Sequence, residues 1–484
     1  MLNHTYPAFT KLLYKLNDMK LSYLLNLKLA VFFTLLSFQL VHAQAVQYTT
    51  TANGAAKFHK TTLIVSDQLT LPSNAITVTM NVSKRFQQIE GFGFALTGGS
   101  AQLINQLSEV KKQAILQELF GKDTASLGVS YIRVSMGASD LDAHVFSYND
   151  LPEGATDSLL TQFSLSEDTL HLIPILKKAL AIHSGLKIIA SPWSPPIWMK
   201  TNKASMGGHL LKQYYASYAL YFVKYLQAMN KQGIKIDAIT MQNEPEHGGN
   251  NPSLLMDAEE QKDFLANYLG PQLKAAKLNT EVIVYDHNAD HPNYPIAILN
   301  DAKAKSYAAG TAFHLYLGNE SALSEVHNAH PDKKILFTEQ WTGAKGDFGG
   351  DLMWHLEHVV IGTINNWATA VIEWNLAANA KYEPHTIGGC TECKGALTIQ
   401  GDNVNRNVSY YIIGQASKYI PVGAQRVESI SNFATIKTVG FILPNGKKAS
   451  LVLNTGPAVS INLLEGNNNI KFEMPAQSAS TIVW

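Results

Sequence analysis

Eight short apolar runs, each separated from the next by a stretch of helical periodicity, set the strongest constraint on what this chain can fold into. The runs lie at about 91–96, 128–134, 187–193, 236–243, 281–287, 311–316, 334–339 and 369–376. They are short and apolar on both faces, as strands covered on both sides must be. Between them, segments such as 110–120 and 214–229 repeat apolar residues at three- and four-residue spacing, which predicts helices. Eight strands alternating with helices over roughly 320 residues is the count of a (β/α)8 barrel, although a doubly wound open sheet has the same alternation. The polar residues at the run ends favour the barrel, where chemistry gathers after the C-terminal ends of the strands. Here those ends carry Trp193, Asn243-Glu244, Asp286-His287, His314 with Tyr316, Glu339 and Trp374-Asn375.

The flanks read differently. Residues 44–85 are rich in Thr, Val and Ser with period-two stretches such as Ile76-Thr77-Val78-Thr79-Met80, and the segment after about 415 alternates short apolar runs with turns at Pro444-Asn445-Gly446 and Asn454-Thr455-Gly456. The expected division is a signal region at 1–43, N-terminal strands of a β-sandwich at 44–85, a TIM-barrel domain at 86–415 and the C-terminal β-sandwich at 416–484. A chain of 484 residues, 46% of them hydrophobic, has room for one large core and a smaller one.

Leu29–Val41 is an apolar run with Lys20 and Lys28 before it and Val41-His42-Ala43 after it, the pattern of a secretory signal cut after Ala43. The alternative, a permanent anchor, needs ~20 apolar residues, more than this run holds. Residues 1–18 fit no signal n-region, and Met19 is the more natural start. Export to the periplasm or the outside is the expectation, with no stable membrane span in the mature chain. From residue 44 onward 34 basic residues face 37 acidic ones, the wrong footprint for nucleic acid.

Glu244 and Glu339 each close an apolar run, so a barrel would bring both to its mouth. Two carboxylates from two strands suit glycoside hydrolysis by retention, in which one donates a proton while the other attacks the sugar. A structural ion pair with Arg133 is the bland reading of the same residues. Cys390 and Cys393, the two cysteines, are too few for a structural zinc site and lie among glycines, which favours a local disulfide over redox catalysis. Asp286-His287-Asn288-Ala289-Asp290-His291 looks like metal-binding text, but such loops more often hold substrate or one another. Gly91-Phe92-Gly93 lacks the rest of a dinucleotide fingerprint, and no G-x-S-x-G elbow or Walker A loop is present. Neither a cofactor nor a metal is expected.

The succession Gly91-Phe92-Gly93-Phe94, Ile132-Arg133-Val134 with Asp140, Ser191-Pro192-Trp193-Ser194-Pro195-Pro196-Ile197-Trp198-Met199-Lys200-Thr201-Asn202, Gln242-Asn243-Glu244-Pro245, His314-Leu315-Tyr316, Thr338-Glu339 and Trp374-Asn375-Leu376 resembles glycoside hydrolase family 30. That family includes lysosomal glucosylceramidase and microbial β-1,6-glucanases. The resemblance implies that Glu244 is the acid/base and Glu339 the nucleophile. It further implies that Asn243 meets the sugar 2-hydroxyl, that Tyr316 orients Glu339, and that Asp140, Trp193, His314 and Trp374 serve the sugar. Glucosylceramidases of the animal type carry a different loop after the eighth strand, where this chain has Gly388-Gly389-Cys390-Thr391-Glu392-Cys393-Lys394-Gly395, so their substrate does not transfer automatically. The expected activity is a secreted retaining β-glycosidase of glucosylceramidase-like type acting on a carbohydrate or glycolipid. The alternatives are an endo-β-1,6-glucanase or β-xylosidase of the same family, and a catalytically inactive carbohydrate-binding protein.

Overall fold

The computed structural model describes Met19, residues 44–67 and residues 71–484. Apart from Met19, the expected signal segment lies outside the described residues. Three strands come first, β1 (Gln44–Thr51), β2 (His59–Asp67) and β3 (Thr77–Gln88). The barrel follows with β4 (Gly91–Ala95), β5 (Tyr131–Ser135), β6 (Lys187–Ser191), β7 (Ala238–Thr240), β8 (Glu281–Ala289), β9 (Ala308–Gly318) and β10 (Lys334–Glu339). After the short β11 (Thr342–Gly343) comes its eighth strand, β12 (Ala368–Asn375). All eight pair in parallel in chain order, and β12 closes the ring on β4.

Period-two alternation sorts the side chains. Tyr131, Ile189, Ala238, Ile283, Ala312, Leu336, Ala370 and Ile372 form an apolar plug inside the ring. Their neighbours Ile132, Val134, Ile188, Ile239 and Val284 join the larger core under the helices. Those helices include Glu109–Phe120 and Tyr215–Lys231, close to the spans the periodicity predicts. The strand expected over 236–243 stops at Thr240. Beyond it the chain turns across its neighbours, the Asn243 N–H reaching the Pro192 carbonyl at 2.8 Å and the Glu244 N–H the Asp286 carbonyl at 3.0 Å.

Short strands β13 (Ala377–Ala378), β14 (Cys393–Lys394), β15 (Leu397–Gln400) and β16 (Asn403–Arg406) dress the barrel mouth, β14 pairing with β11. The remaining strands are β17 (Gln425–Ser431), β18 (Ile436–Ile442), β19 (Lys448–Asn454), β20 (Val459–Glu465), β21 (Asn468–Met474) and β22 (Ser478–Val483). With β1, β2 and β3 they make the β-sandwich in the order β1-β2-β21-β20-β3-β17-β18-β19-β22, and β22 pairs back onto β1 so that the sheet closes. Its own core gathers Val78, Val452, Ile461, Leu463, Ile470 and Phe472. Helix Val408–Ser417 links the two units, with buried Gln415 donating to the Tyr48 carbonyl (2.7 Å) and accepting from the Thr50 hydroxyl (2.9 Å). Among the described residues no helix is long and apolar enough to cross a membrane.

Candidate active site

Directly above the apolar plug the barrel interior turns polar. Arg133, two residues along β5 from Tyr131, is fully buried there. Its guanidinium reaches Asp286 at 2.8 Å, Asn243 Oδ1 at 2.6 Å and Glu339 Oε2 at 2.5 Å. Asp286 is the hub of this layer. Its Oδ2 also meets the hydroxyls of Ser191 (3.0 Å) and Thr240 (2.8 Å), and its Oδ1 those of Thr338 (2.7 Å) and the His314 ring at Nε2 (3.1 Å). Burial works against its charge, but Arg133, His314 and Thr338 hold the carboxyl far below the usual range.

Two positive φ angles aim this acid inward, 70° at Tyr285 and 75° at Asp286, where the pairing of β8 with β9 shifts register. Glu244 has φ 46°. Non-glycine residues rarely hold such angles, and they persist only where the surroundings impose them.

Glu244 and Glu339 face each other across His314. One oxygen of each carboxylate and a ring nitrogen of His314 all lie within 4.8 Å of one another. His314 Nδ1 is 3.2 Å from Glu244 Oε1, and the Asn250 amide donates to Glu244 Oε2 at 3.1 Å. The Tyr316 hydroxyl donates to Glu339 Oε1 at 2.9 Å. Burial alone would lower the His314 pKa, yet the Glu339 charge and the bonds to Asp286 and Glu244 raise it to about 9. The carboxylates titrate as a pair. On Glu244 burial is overcome by the His314 bond and charge, which bring it down to about 2. On Glu339 burial, helped by the Glu244 charge, prevails over His314 and Arg133 and leaves it raised.

A cavity of about 400 Å³ opens over this pair. Of the residues expected at the site, Asp140, Trp193, Glu244, Tyr316, Glu339 and Trp374 line it. Asn243 and His314 stand directly behind, Asn243 with its Oδ1 committed to Arg133. Trp193 and Trp374 stack on each other at 5.4 Å, and the Arg133 guanidinium lies 4.9 Å from the Trp193 ring. Asp140 is raised to about 7, first by burial and then by the Glu339 charge.

The cavity wall also holds residues the sequence reading did not single out, His247, Asn250, Leu317 and Trp341, together with both cysteines. His247 and Asn250 follow the Asn-Glu-Pro motif on the same loop, a nearness that could have flagged them. Arg133 is ion-paired to Glu339 and Asp286, so the bland reading of that residue holds in part. Cys390 and Cys393 are joined in a disulfide.

Among the described residues, Glu244, His314 and Glu339 are the group of acidic and imidazole side chains close enough to share a metal ion. Arg133 against Glu339 and a protonated His314 make that spot unfavourable for a cation. In the 286–291 loop Asp286 is committed to its donors and His291 pairs with Glu246 at 3.0 Å. The arrangement as a whole offers two close carboxyls of unequal surroundings beneath a flat aromatic wall, the equipment for proton donation and nucleophilic attack at one carbon.

Comparison with known proteins points the same way. The matching family models are the Glycosyl hydrolase family 30 TIM-barrel domain over residues 89–420 and the Glycosyl hydrolase family 30 beta sandwich domain over residues 423–482. The chain is 35% identical over 401 residues to an endo-1,6-beta-D-glucanase of Neurospora crassa, covering 79% of this chain and 82% of the relative. It is 30% identical over 404 residues to the lysosomal acid glucosylceramidase of Mus musculus, covering 78% and 77%. Among solved structures, an endo-beta1,6-glucanase superposes with a TM-score of 0.86 at 35% identity, over 91% of this chain and 99% of that one.

Proposed function

Because the chain belongs to glycosyl hydrolase family 30 and is a β-glycosidase, we propose that it cleaves β-1,6-linked glucan with retention of configuration. The observation that carries the mechanism is the approach of the Glu244 and Glu339 oxygens to within 4.8 Å. Retaining enzymes hold their carboxyls ~5–5.5 Å apart, whereas inverting ones leave ~6.5–9.5 Å for a water. Glu339 attacks the anomeric carbon, with Tyr316 and Arg133 each holding one of its oxygens in line. Glu244 protonates the departing oxygen, then draws the proton from the water that releases the sugar. For this chemistry Glu244 carries the proton and Glu339 is ionised when the sugar is bound. The approach of an electron-poor anomeric carbon to Glu339 and a basic glycosidic oxygen to Glu244 favours that distribution.

Trp193 and Trp374 offer flat faces to the C–H side of a pyranose, and Asp140 anchors its hydroxyls. The β-1,6-glucan reading is supported by the 35% identity to the fungal and structurally known endo-1,6-glucanases. A glucosylceramide reading is favoured by one feature, Leu317, which is 59% exposed on the cavity wall as an apolar contact for a lipid chain. Export of the mature chain is supported by the Cys390–Cys393 disulfide, which an oxidising compartment sustains, while cleavage after Ala43 rests on the apolar run and the small residue that follows it.

The test is hydrolysis of β-1,6-glucan, glucosylceramide, p-nitrophenyl β-glucoside and p-nitrophenyl β-xyloside, with the first-formed anomer followed by NMR. Cleavage of the glucan to β-configured products is expected, with kcat lowered by at least about 10³-fold in Glu339→Gln. Glu244→Ala is expected to keep more activity on the p-nitrophenyl substrate, whose leaving group needs little protonation, than on the glucan. An α-configured first product would overturn the mechanism, and turnover of glucosylceramide alone would overturn the substrate.

A further inference from the structure

The loop that closes the cavity after β12 touches three of the segments that build the site. The Thr386 N–H donates to the Asp140 carbonyl at 2.9 Å, and the Asn251 amide, next to the Asn250 that bonds Glu244, donates to the Ile387 carbonyl at 2.7 Å. The loop runs so close to Asp140 that a Cβ on Gly389 would lie 2.4 Å from the Asp140 carbonyl oxygen. One residue later the Cys390 N–H donates to the Asp140 carboxylate itself, Oδ2 at 3.2 Å. On the far side, Cys393 starts β14, whose ladder with β11 anchors the chain just after Trp341. Both cysteines pack with Trp193, Trp374 and Trp341 in one cluster.

The Cys390–Cys393 bond therefore spans two anchors, the amide on Asp140 and the ladder beside Trp341. Between them Thr391 and Glu392 carry little, with Glu392 tied to exposed Lys345 and to the Ala344 N–H. Without the bond, the Cys390 side chain would be held only by its packing in that tryptophan cluster, which does not tie it to β14. Resting on the glycosidase reading of the cavity, we propose that the disulfide is a positioning device for sugar binding, holding the Cys390 N–H on Asp140 so that this carboxyl is fixed in the orientation that receives the sugar hydroxyls. Asp140 is the group that touches sugar, and the disulfide acts through it. Its opening weakens ground-state binding and leaves the Glu244–Glu339 chemistry in place.

The folded protein, oxidised or treated with a phosphine reductant, is compared with Cys390→Ser/Cys393→Ser, each with and without Asp140→Asn. KM and kcat are read on p-nitrophenyl β-D-glucoside, and deoxynojirimycin affinity is read by quenching of the cavity tryptophans. Mass spectrometry confirms two free thiols, and thermal melts confirm the fold. Opening the bond is expected to raise KM and the deoxynojirimycin Kd about tenfold with kcat within about threefold, the size of one hydrogen bond to a charged group. In the Asp140→Asn background it is expected to add nothing further. An unchanged KM and Kd on opening, or an equal rise with Asp140→Asn, overturns the proposal while leaving the glycosidase reading standing. Neither turnover nor iminosugar binding by the oxidised wild type overturns both.

Discussion

At the scale of single residues, His314 is the charge that links the Asp286 hub to the acid/base Glu244. Its ring bridges Asp286 and Glu244, and its folded pKa of about 9 stands above an ordinary value of 6.5. A group raised in this way binds its proton more tightly in the folded chain, so the stability it contributes is fully present below about pH 6.5 and is lost as pH rises through about 9. His314→Gln is therefore expected to melt well below wild type at about pH 6 and to approach it by about pH 9.5. A gap that stays constant across that range would mean the imidazole titrates alike in the folded and unfolded chain. The same substitution removes the charge that holds Glu244 down, so the Glu244 pKa should rise and the alkaline limb of kcat/KM, which reports the protonated acid, shift upward. Both glutamates could be read from sequence because each stands at the end of an apolar run. The role of Asp286 could not, since its inward aim depends on two left-handed residues and a register shift that no period-two pattern encodes.

At the scale of elements, the eight strands were legible because burial on both faces writes a continuous apolar run, and seven were expected close to where they lie. The exception is β7, whose run of eight apolar and small polar residues yields a strand of three, because the rest of the run leaves the ladder to deliver Asn243 and Glu244. The sequence pattern also missed the short helix Ser166–Leu170, which carries a buried Asp168 against the Tyr148 hydroxyl at 2.6 Å. Tyr148 itself stacks with Tyr221 and with Tyr225, each at 5.6 Å, and Asp168 is buried beside them. Burial raises Asp168 from 3.8 to about 8, meaning the folded chain keeps a proton that the unfolded chain gives up. Stability linked to this group therefore falls as pH rises from about 4 toward about 8. Asp168→Asn, which keeps the acceptor for Tyr148 and cannot ionise, should match wild type near pH 4 and gain on it progressively up to about pH 8 in thermal melts. A difference independent of pH would show that Asp168 is ionised in the folded state.

At the scale of the whole molecule, the barrel and the sandwich share apolar packing, with Val439, Phe441, Leu451 and Leu453 in the larger core, and a polar joint lies beside it. Gln415 spends its side chain on Tyr48, Thr50 and Thr481, two strands that lie at opposite ends of the chain. Tyr48 stacks on Tyr419 at 4.1 Å beside it. Gln415→Ala leaves buried acceptors and a donor without partners, and is expected to cost about 1–3 kcal/mol while unfolding stays a single transition. Two separated transitions would mean the units are energetically independent. A sandwich completed from both ends was readable in outline from the Thr- and Val-rich flanks. Its closure through β1 and β22 was not, because edge pairing leaves no mark in composition.

That closure has a consequence for how the chain is made. β22 slots between β1 and β19, so the first strand of the sheet leaves the ribosome and then waits while the entire barrel is synthesised before its second neighbour exists. During that interval β1 offers one unpaired edge, the kind of surface that chaperones cover and other chains join. In the barrel the same wait is shorter, since β4 gains its second neighbour when β12 closes the ring. The two halves of this protein thus mature on different clocks, and the small sheet that looks like an accessory is the part that closes last.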